Sequence, residues 1–259
     1  MKIVKNYLTK NRCYISGRTI TPKGIMVHSL GVAQPDVNVF LKSWNTANVS
    51  KCVHAFVTPN NVVQTLPWDR RGWHAGGKAN DTHIGFEICE PSGHKYKGGT
   101  MIGYDAVKNK DYFDKVYQNA VDLCVYLCNL YDLTAKDIIC HSEGYKLGIA
   151  TNHADVMHWF PKHGKSMDTL RADVAAKLMP AKTVTPESDS KDIKWAQGKL
   201  NAVLPDWQPK LKVDGDYGPK TRIAVLIYWD LLGWGKHMKD DGTKIGKSTR
   251  EALAAGRKS

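Results

Sequence analysis

The nine residues Thr82-His-Ile-Gly-Phe-Glu-Ile-Cys-Glu90 alternate in character from Ile84 onward. Alternation places Ile84, Phe86 and Ile88 on one face of an extended chain and Glu87 and Cys89 on the other. This is a strand with one apolar face and a carboxylate on the opposite side. Working outward, Lys23-Gly-Ile-Met-Val-His28 reads as a short buried strand between Pro22 and Gly31. Ala55–Thr58 and Val62–Leu66 flank Pro59-Asn-Asn61 and predict a β-hairpin. Asp137-Ile-Ile-Cys140 predicts a strand that runs into His141. Phe113, Val116, Tyr117, Ala120, Leu123, Cys124 and Leu127 recur at three- and four-residue spacing, which predicts an amphipathic helix over 111–131. A second helix is expected from Met167 to Leu178. The N-terminal part is therefore of α/β class.

The stretch Met179–Ser190 contains two prolines, several hydroxyl side chains and no apolar periodicity, so it reads as a linker. It divides the chain into domains of residues 1–178 and 191–259. The second domain holds a weak internal repeat. Val213-Asp-Gly-Asp-Tyr-Gly-Pro-Lys-Thr221 is echoed by Asp240-Asp-Gly-Thr-Lys-Ile-Gly-Lys-Ser-Thr249, each followed by a short apolar helix. Pro219 suits a first helical position, and Ser248 with Glu251 fits a capping box. With a helix from Ile193 to Leu204, this predicts a small all-α unit of three helices.

The whole chain has 259 residues, 42% hydrophobic and 24% charged, with a mean hydropathy of -0.41. That balance excludes a largely disordered chain and a collagen-like fibre. No apolar run approaches the roughly 18 residues of a membrane span. The net charge is +12, shared as +8 over residues 1–186 and +4 over 187–259. Such a field favours an anionic partner, whether nucleic acid, a membrane surface or an acidic wall polymer. The basic N-terminus is not followed by an apolar stretch, so no signal peptide is expected. The six cysteines form no Cys-x-x-Cys pair and are sparse for the length, which predicts reduced thiols.

Nine of the ten histidines lie before the linker. His28 and His141 each end a predicted buried strand, where sites collect in α/β folds. Two imidazoles and one further ligand would make a three-ligand zinc site with an open position. The run from Cys140 to Phe160 holds His141, Glu143, His153, Asp155 and His158, a concentration that packing does not explain. Spacing does not select which of His153, Asp155 and His158 faces a metal.

Five segments, in order, resemble the zinc-dependent N-acetylmuramoyl-L-alanine amidases of the type-2 amidase and peptidoglycan-recognition superfamily. They are Gly24–Ser29, Val53–Val57, Gly72-Trp-His-Ala-Gly-Gly77, Ile84–Glu90, and His141 through Asn152–Phe160. The resemblance spans about residues 20–178. Residues after the linker resemble a three-helix peptidoglycan-binding module, with Asp214-Gly-Asp-Tyr-Gly-Pro-Lys-Thr221 as its signature. The combination resembles a bacteriophage endolysin of a Gram-positive host, a host-lysing enzyme made in the cytoplasm that acts on the wall after release.

The resemblance implies a mixed sheet with flanking helices and zinc (Zn2+) at the floor of a groove. It implies His28, His141 and Asp155 as ligands, Glu87 as the general base and His153 as the oxyanion-stabilising group. The interval between His141 and Asp155 exceeds the family's usual spacing, so Ser142–Thr151 is expected to form an extended loop. Glu143 is a secondary candidate for the base. Trp73 and His74 are expected to line the groove and bind substrate. His54 is expected to pack in the core or to orient a ligand. His83, His94, His158, His163 and His237 are expected on the surface or in loops. Trp195, Trp207, Trp229 and Trp234 divide between the small domain's core and a glycan-stacking shelf.

The implied reaction is hydrolysis of the amide between N-acetylmuramic acid and L-alanine. Peptidoglycan and anionic wall polymers are the expected partners, with no nucleic acid and no membrane span. The competing readings are a non-catalytic peptidoglycan-binding protein and a stem-peptide endopeptidase on the same fold.

Overall fold

The computed structural model describes residues 1–180, 182–235 and 240–258. The chain forms two compact units, Met1–Val174 and Ala175–Ser259. No helix among the described residues is long and apolar enough to cross a membrane.

The first unit is built on a six-stranded sheet. In chain order its strands are β1 (Ile3–Lys5), β2 (Gly24–Ser29), β3 (Ala55–Val57), β4 (Val62–Gln64), β5 (His83–Ile88) and, after the separate hairpin β6 (Lys95–Lys97) and β7 (Thr100–Ile102), β8 (Ile138–Cys140). The spatial order is β1-β4-β3-β5-β2-β8. Only β3 and β4 pair antiparallel within this sheet, around the expected Pro-Asn-Asn turn. The mixed sheet and its helices agree with the expected fold class.

Helices α1 (Arg12–Ile15) and α2 (Asn38–Trp44) share one core cluster with Phe56, Leu66 and Cys89. There Phe40 stacks on Phe56 with ring centroids 5.4 Å apart, and Trp44 closes over the same ring. The long helix α3 (Lys110–Tyr131) buries Phe113, Val116, Tyr117, Ala120, Leu123, Cys124 and Leu127, the face its spacing predicts. It ends at Asp132, whose left-handed φ of 55° stops the helix. Helix α4 (His141–Lys146) starts directly after β8, and α5 (Met167–Leu178) closes the series. All six cysteines of the chain are free and buried.

Strand β2 is buried along its whole length because it pairs parallel on both sides, with β5 and β8. Its register is Gly24 to His83 through Ser29 to Ile88 on one side, and Ile25 to Ile138 through Val27 to Cys140 on the other. His28 therefore stands opposite Glu87, and His141 follows the residue paired with Val27. A side chain 113 residues away in sequence is brought to one sheet edge by this register alone.

The second unit contains α6 (Ser190–Val203), α7 (Pro219–Leu231) and α8 (Lys247–Ala254). Ile193, Ala196, Leu200, Ala224, Val225, Tyr228, Trp229 and Leu253 form its core. Both Asp-Gly turns of the repeat are visible. Gly215 has φ +81°, and a Cβ there would lie 2.0 Å from Ser190 Oγ. Gly242 has φ +84°, and a Cβ would lie 2.5 Å from the Arg222 carbonyl. The buried amide of Gln197 organises the first turn, donating to Asp214 Oδ1 and accepting from the Gly215 N–H.

Two expectations for this unit change. Ser248 does not cap α8; the cap position is Gly246, so Ser248 lies inside the first turn and makes no capping box. The Met179–Ser190 stretch is also not a bare tether. Val184 is fully buried in the core and pairs with Ile245, and the Pro180 carbonyl accepts from Arg250. An apolar side chain among prolines and hydroxyls found a hydrophobic surface to cover. Trp229 is core, Trp195 and Trp234 are half-buried against it, and Trp207 is 70% exposed.

Val184→Ala is expected to destabilise the full chain by about 2 kcal/mol. Lys182→Ala, an exposed change in the same stretch, should leave the urea midpoint unmoved.

Candidate metal centre

The C-terminal edge of β2, β5 and β8 gathers the titratable residues. His28 projects from β2, and His141 opens α4. Asp155 begins a single 3-10 turn, Asp155–His158. Asp155 sits at φ +48°, a left-handed conformation that is costly for a non-glycine residue. The expected extended loop between His141 and Asp155 is instead α4 followed by a turn at Gly148, φ +71°.

Three atoms converge. His28 Nδ1 lies 3.2 Å from His141 Nδ1 and 3.3 Å from Asp155 Oδ1, and His141 Nδ1 lies 3.2 Å from Asp155 Oδ2. Among the described residues these three form the one group of at least three His, Cys, Asp or Glu able to hold a metal ion. Zinc–ligand bonds of about 2.1 Å in a tetrahedron set ligand atoms about 3.4 Å apart, close to the distances found here, so the spacing fits zinc. Asp155 Oδ2 is buried without a hydrogen bond, and one ring proton at most fits between the two Nδ1 atoms. The residues present fit a divalent cation better than they fit one another.

The local electrostatics agree. Burial opposes ionisation of Asp155, but the two imidazoles beside it outweigh burial and hold its pKa well below the carboxylate range. Burial lowers His28, and Asp155 offsets part of that. Both effects favour the forms that ligate a cation, a neutral imidazole and a carboxylate.

Glu87 is half-buried on β5, with Oε2 shielded and without a hydrogen-bond partner. Burial first, then the charges of Asp155 and Glu90, push its carboxyl well above the usual range. His153 is exposed, with its ring centroid 4.7 Å from that of His141 and Nδ1 3.1 Å from Thr151 Oγ1. Glu143 is tied down by a bidentate pairing with Arg171 at 3.0 Å and by the Cys140 N–H, so it braces α4.

Trp73 and His74 part company. Trp73 is 46% exposed, with the Arg71 guanidinium over its ring. His74 turns inward, because neighbours in an extended segment point to opposite sides. Its Nδ1 lies 3.0 Å from His28 Nε2, and its Nε2 lies 3.2 Å from the His83 carbonyl. His54 is buried between the Arg70 carbonyl and the Gly85 backbone, and burial lowers its pKa to about 4 despite those contacts.

Of the histidines expected on the surface or in loops, His94 lies in a loop but not at the surface. It is buried against Glu90, which is itself fully buried. Glu90 accepts from the Gly31 N–H, His94 Nε2 and the Tyr96 hydroxyl. The reason is compensation: a buried carboxylate needs donors, and this loop supplies them. His158 meets Tyr96, and His163 stacks on Phe113 with centroids 3.9 Å apart. His83 corrects the expectation, because it is the half-buried first residue of β5, neither exposed nor in a loop. His237 lies outside the described residues. Sequence reasoning missed Glu90, Thr151 and the inward role of His74. Gly85, a lone glycine within a strand, was the available sign that a ring lies against β5.

A family model described as N-acetylmuramoyl-L-alanine amidase matches residues 18–161. The chain is 27% identical over 245 residues to N-acetylmuramoyl-L-alanine amidase CwlH of Bacillus subtilis (strain 168), covering 89% of this chain and 91% of that one. It is 24% identical to a probable N-acetylmuramoyl-L-alanine amidase of Bacillus licheniformis, covering 98% and 73% respectively. Among solved structures, the hydrolase AmiA of Staphylococcus aureus superposes with a TM-score of 0.52 at 22% identity, covering 67% of this chain and 82% of that one. PlyL superposes with a TM-score of 0.51 at 22% identity, covering 67% and 97%. The structural likenesses show a shared fold.

Removing the Glu90 carboxylate strands three donors in a dry site. Glu90→Ala is expected to lower the unfolding free energy by about 3–5 kcal/mol, read by urea denaturation.

Proposed function

The chain belongs to the N-acetylmuramoyl-L-alanine amidase family, and on that premise we propose that it hydrolyses the amide between N-acetylmuramic acid and L-alanine in bacterial peptidoglycan. The observation that carries this reading is the meeting of His28, His141 and Asp155 on the sheet edge that also bears Glu87. In this reading His28, His141 and Asp155 hold zinc. The ion, when bound, supplies a Lewis acid that polarises the scissile carbonyl and lowers the pKa of a coordinated water toward ~7.

Glu87 takes the proton of the attacking water on Oε2 and delivers it to the leaving amine of L-alanine. Its lack of a hydrogen-bond partner supports this role, because no protein donor competes for the carboxylate. His153 directs a ring N–H at the oxyanion from the rim. Trp73 offers an exposed aromatic face to the substrate. His74, hydrogen-bonded behind His28, is left out of substrate contact.

We assign the second unit to wall attachment and the whole chain to endolysin-like lysis of a Gram-positive host. The +12 charge supports adhesion to anionic wall polymers.

Purified Gram-positive walls digested by the protein should release stem peptides with free L-alanine N-termini. A chelator should stop release and added zinc restore it. Cuts within the stem would instead identify an endopeptidase, and wall binding without release a recognition protein. Glu87→Gln should retain zinc and lose about 10²–10⁴-fold in turnover on the same walls. Adhesion to walls, measured by pull-down, should weaken as salt rises through the range that screens surface charge.

A further inference from the structure

The outward nitrogens of both candidate ligand histidines lead back to one short segment, Gly72-Trp-His-Ala-Gly-Gly77. His28 presents Nδ1 to His141 and Asp155, so its Nε2 faces away, 3.0 Å from His74 Nδ1. His74 Nε2 faces the His83 carbonyl, which can only accept. That nitrogen therefore carries the hydrogen, which leaves Nδ1 of the neutral ring as an acceptor for His28 Nε2–H. The order of donors along the chain leaves the lone pair of His28 on Nδ1.

The second histidine follows the same logic. His141 Nε2 lies 3.2 Å from Thr151 Oγ1, which lies 3.3 Å from the Ala75 carbonyl. That carbonyl also only accepts, so the hydroxyl donates its one proton to it, and its two lone pairs receive His141 Nε2–H and His153 Nδ1–H, the latter nitrogen lying 3.1 Å away. The lone pair of His141 is left on Nδ1.

The segment is held for this task. The Asn80 side-chain oxygen accepts from the N–H groups of both His74 and Ala75, at 2.8 and 2.9 Å. The Ala75 carbonyl accepts the Thr151 N–H at 2.9 Å. A Cβ on Gly85 would lie 2.4 Å from the His74 ring, and a Cβ on Gly76 would lie 2.6 Å from Thr151. Glycine at these places lets the imidazole lie on β5 and the threonine approach the segment.

We propose that His74 and Thr151, both anchored through residues 72–77, are positioning residues that fix the tautomer and orientation of His28 and His141. The proposal rests on the zinc reading of His28, His141 and Asp155. It assigns the inward half of the Trp73-His74 pair to metal affinity.

The test measures Zn2+ affinity of the full chain by competition with a chromophoric chelator, separately from wall lysis. His74→Asn and Thr151→Ser, which keep an acceptor atom at the same place, should stay within about threefold of the parent, whereas His74→Ala and Thr151→Val should each weaken binding about 10- to 100-fold. Melting of the metal-free proteins should be alike within each pair, so a purely structural role would not separate them. Two independent pairs keep the test decisive if one alanine variant does not fold. Parent-like affinity in both His74→Ala and Thr151→Val overturns the proposal, as does equal loss in His74→Asn and Thr151→Ser. A parent protein that binds no Zn2+ overturns the zinc reading itself, and this proposal with it.

Discussion

The parallel register of β2 between β5 and β8 is the constraint on which the rest depends. Because β2 is buried on both faces, a slip of one residue would move His28 to the other face of the sheet. It would also break its alignment with Glu87 and with the strand that leads into His141. Apolar burial of Ile25, Val27, Ile84, Phe86 and Ile88 makes such a slip costly. Packing energy spread along three strands thus holds a few polar atoms in place.

The edge concentrates groups that do not favour folding by themselves. Asp155 adopts a left-handed backbone, Glu87 keeps a buried oxygen without a donor, and two imidazoles face each other through nitrogen atoms. Glu90, next to them, is fully satisfied by three donors. The contrast separates a carboxylate that holds loops from one whose buried oxygen no donor restrains. Chemistry of this kind is drawn from the stability supplied by the sheet and by the aromatic cluster around Phe113 and Trp159.

Much of this was legible in the residues. Strand alternation at Ile84, Phe86 and Ile88, helical spacing in α3, and the strand-ending positions of His28 and His141 follow from periods of 2 and 3.6. These periods report which side of an element is buried. They do not report what a half-buried polar group meets across a layer. His74 and His94 show the difference. Each lies in an irregular segment, where no period says which way the ring turns, and each was decided by a partner far away in sequence or out of pattern. Val184 was hidden for a related reason, since one apolar residue among prolines carries no periodicity. Ser248 and Glu251 had the right spacing for a cap, but the glycine turn before them starts the helix two residues earlier.

The six buried free thiols have a consequence for how the molecule meets its surroundings. Burial raises the pKa of Cys89, Cys124, Cys128 and Cys140, so these sulfurs are poor nucleophiles as well as inaccessible ones. A chain of this kind carries no cross-link for a reductant to cut. It also shows few reactive sulfurs for an oxidant or an alkylating agent to find. Its folded form is therefore largely indifferent to the redox potential on either side of a membrane. Only an opened molecule exposes these thiols, which makes them a built-in record of how often the native state breathes.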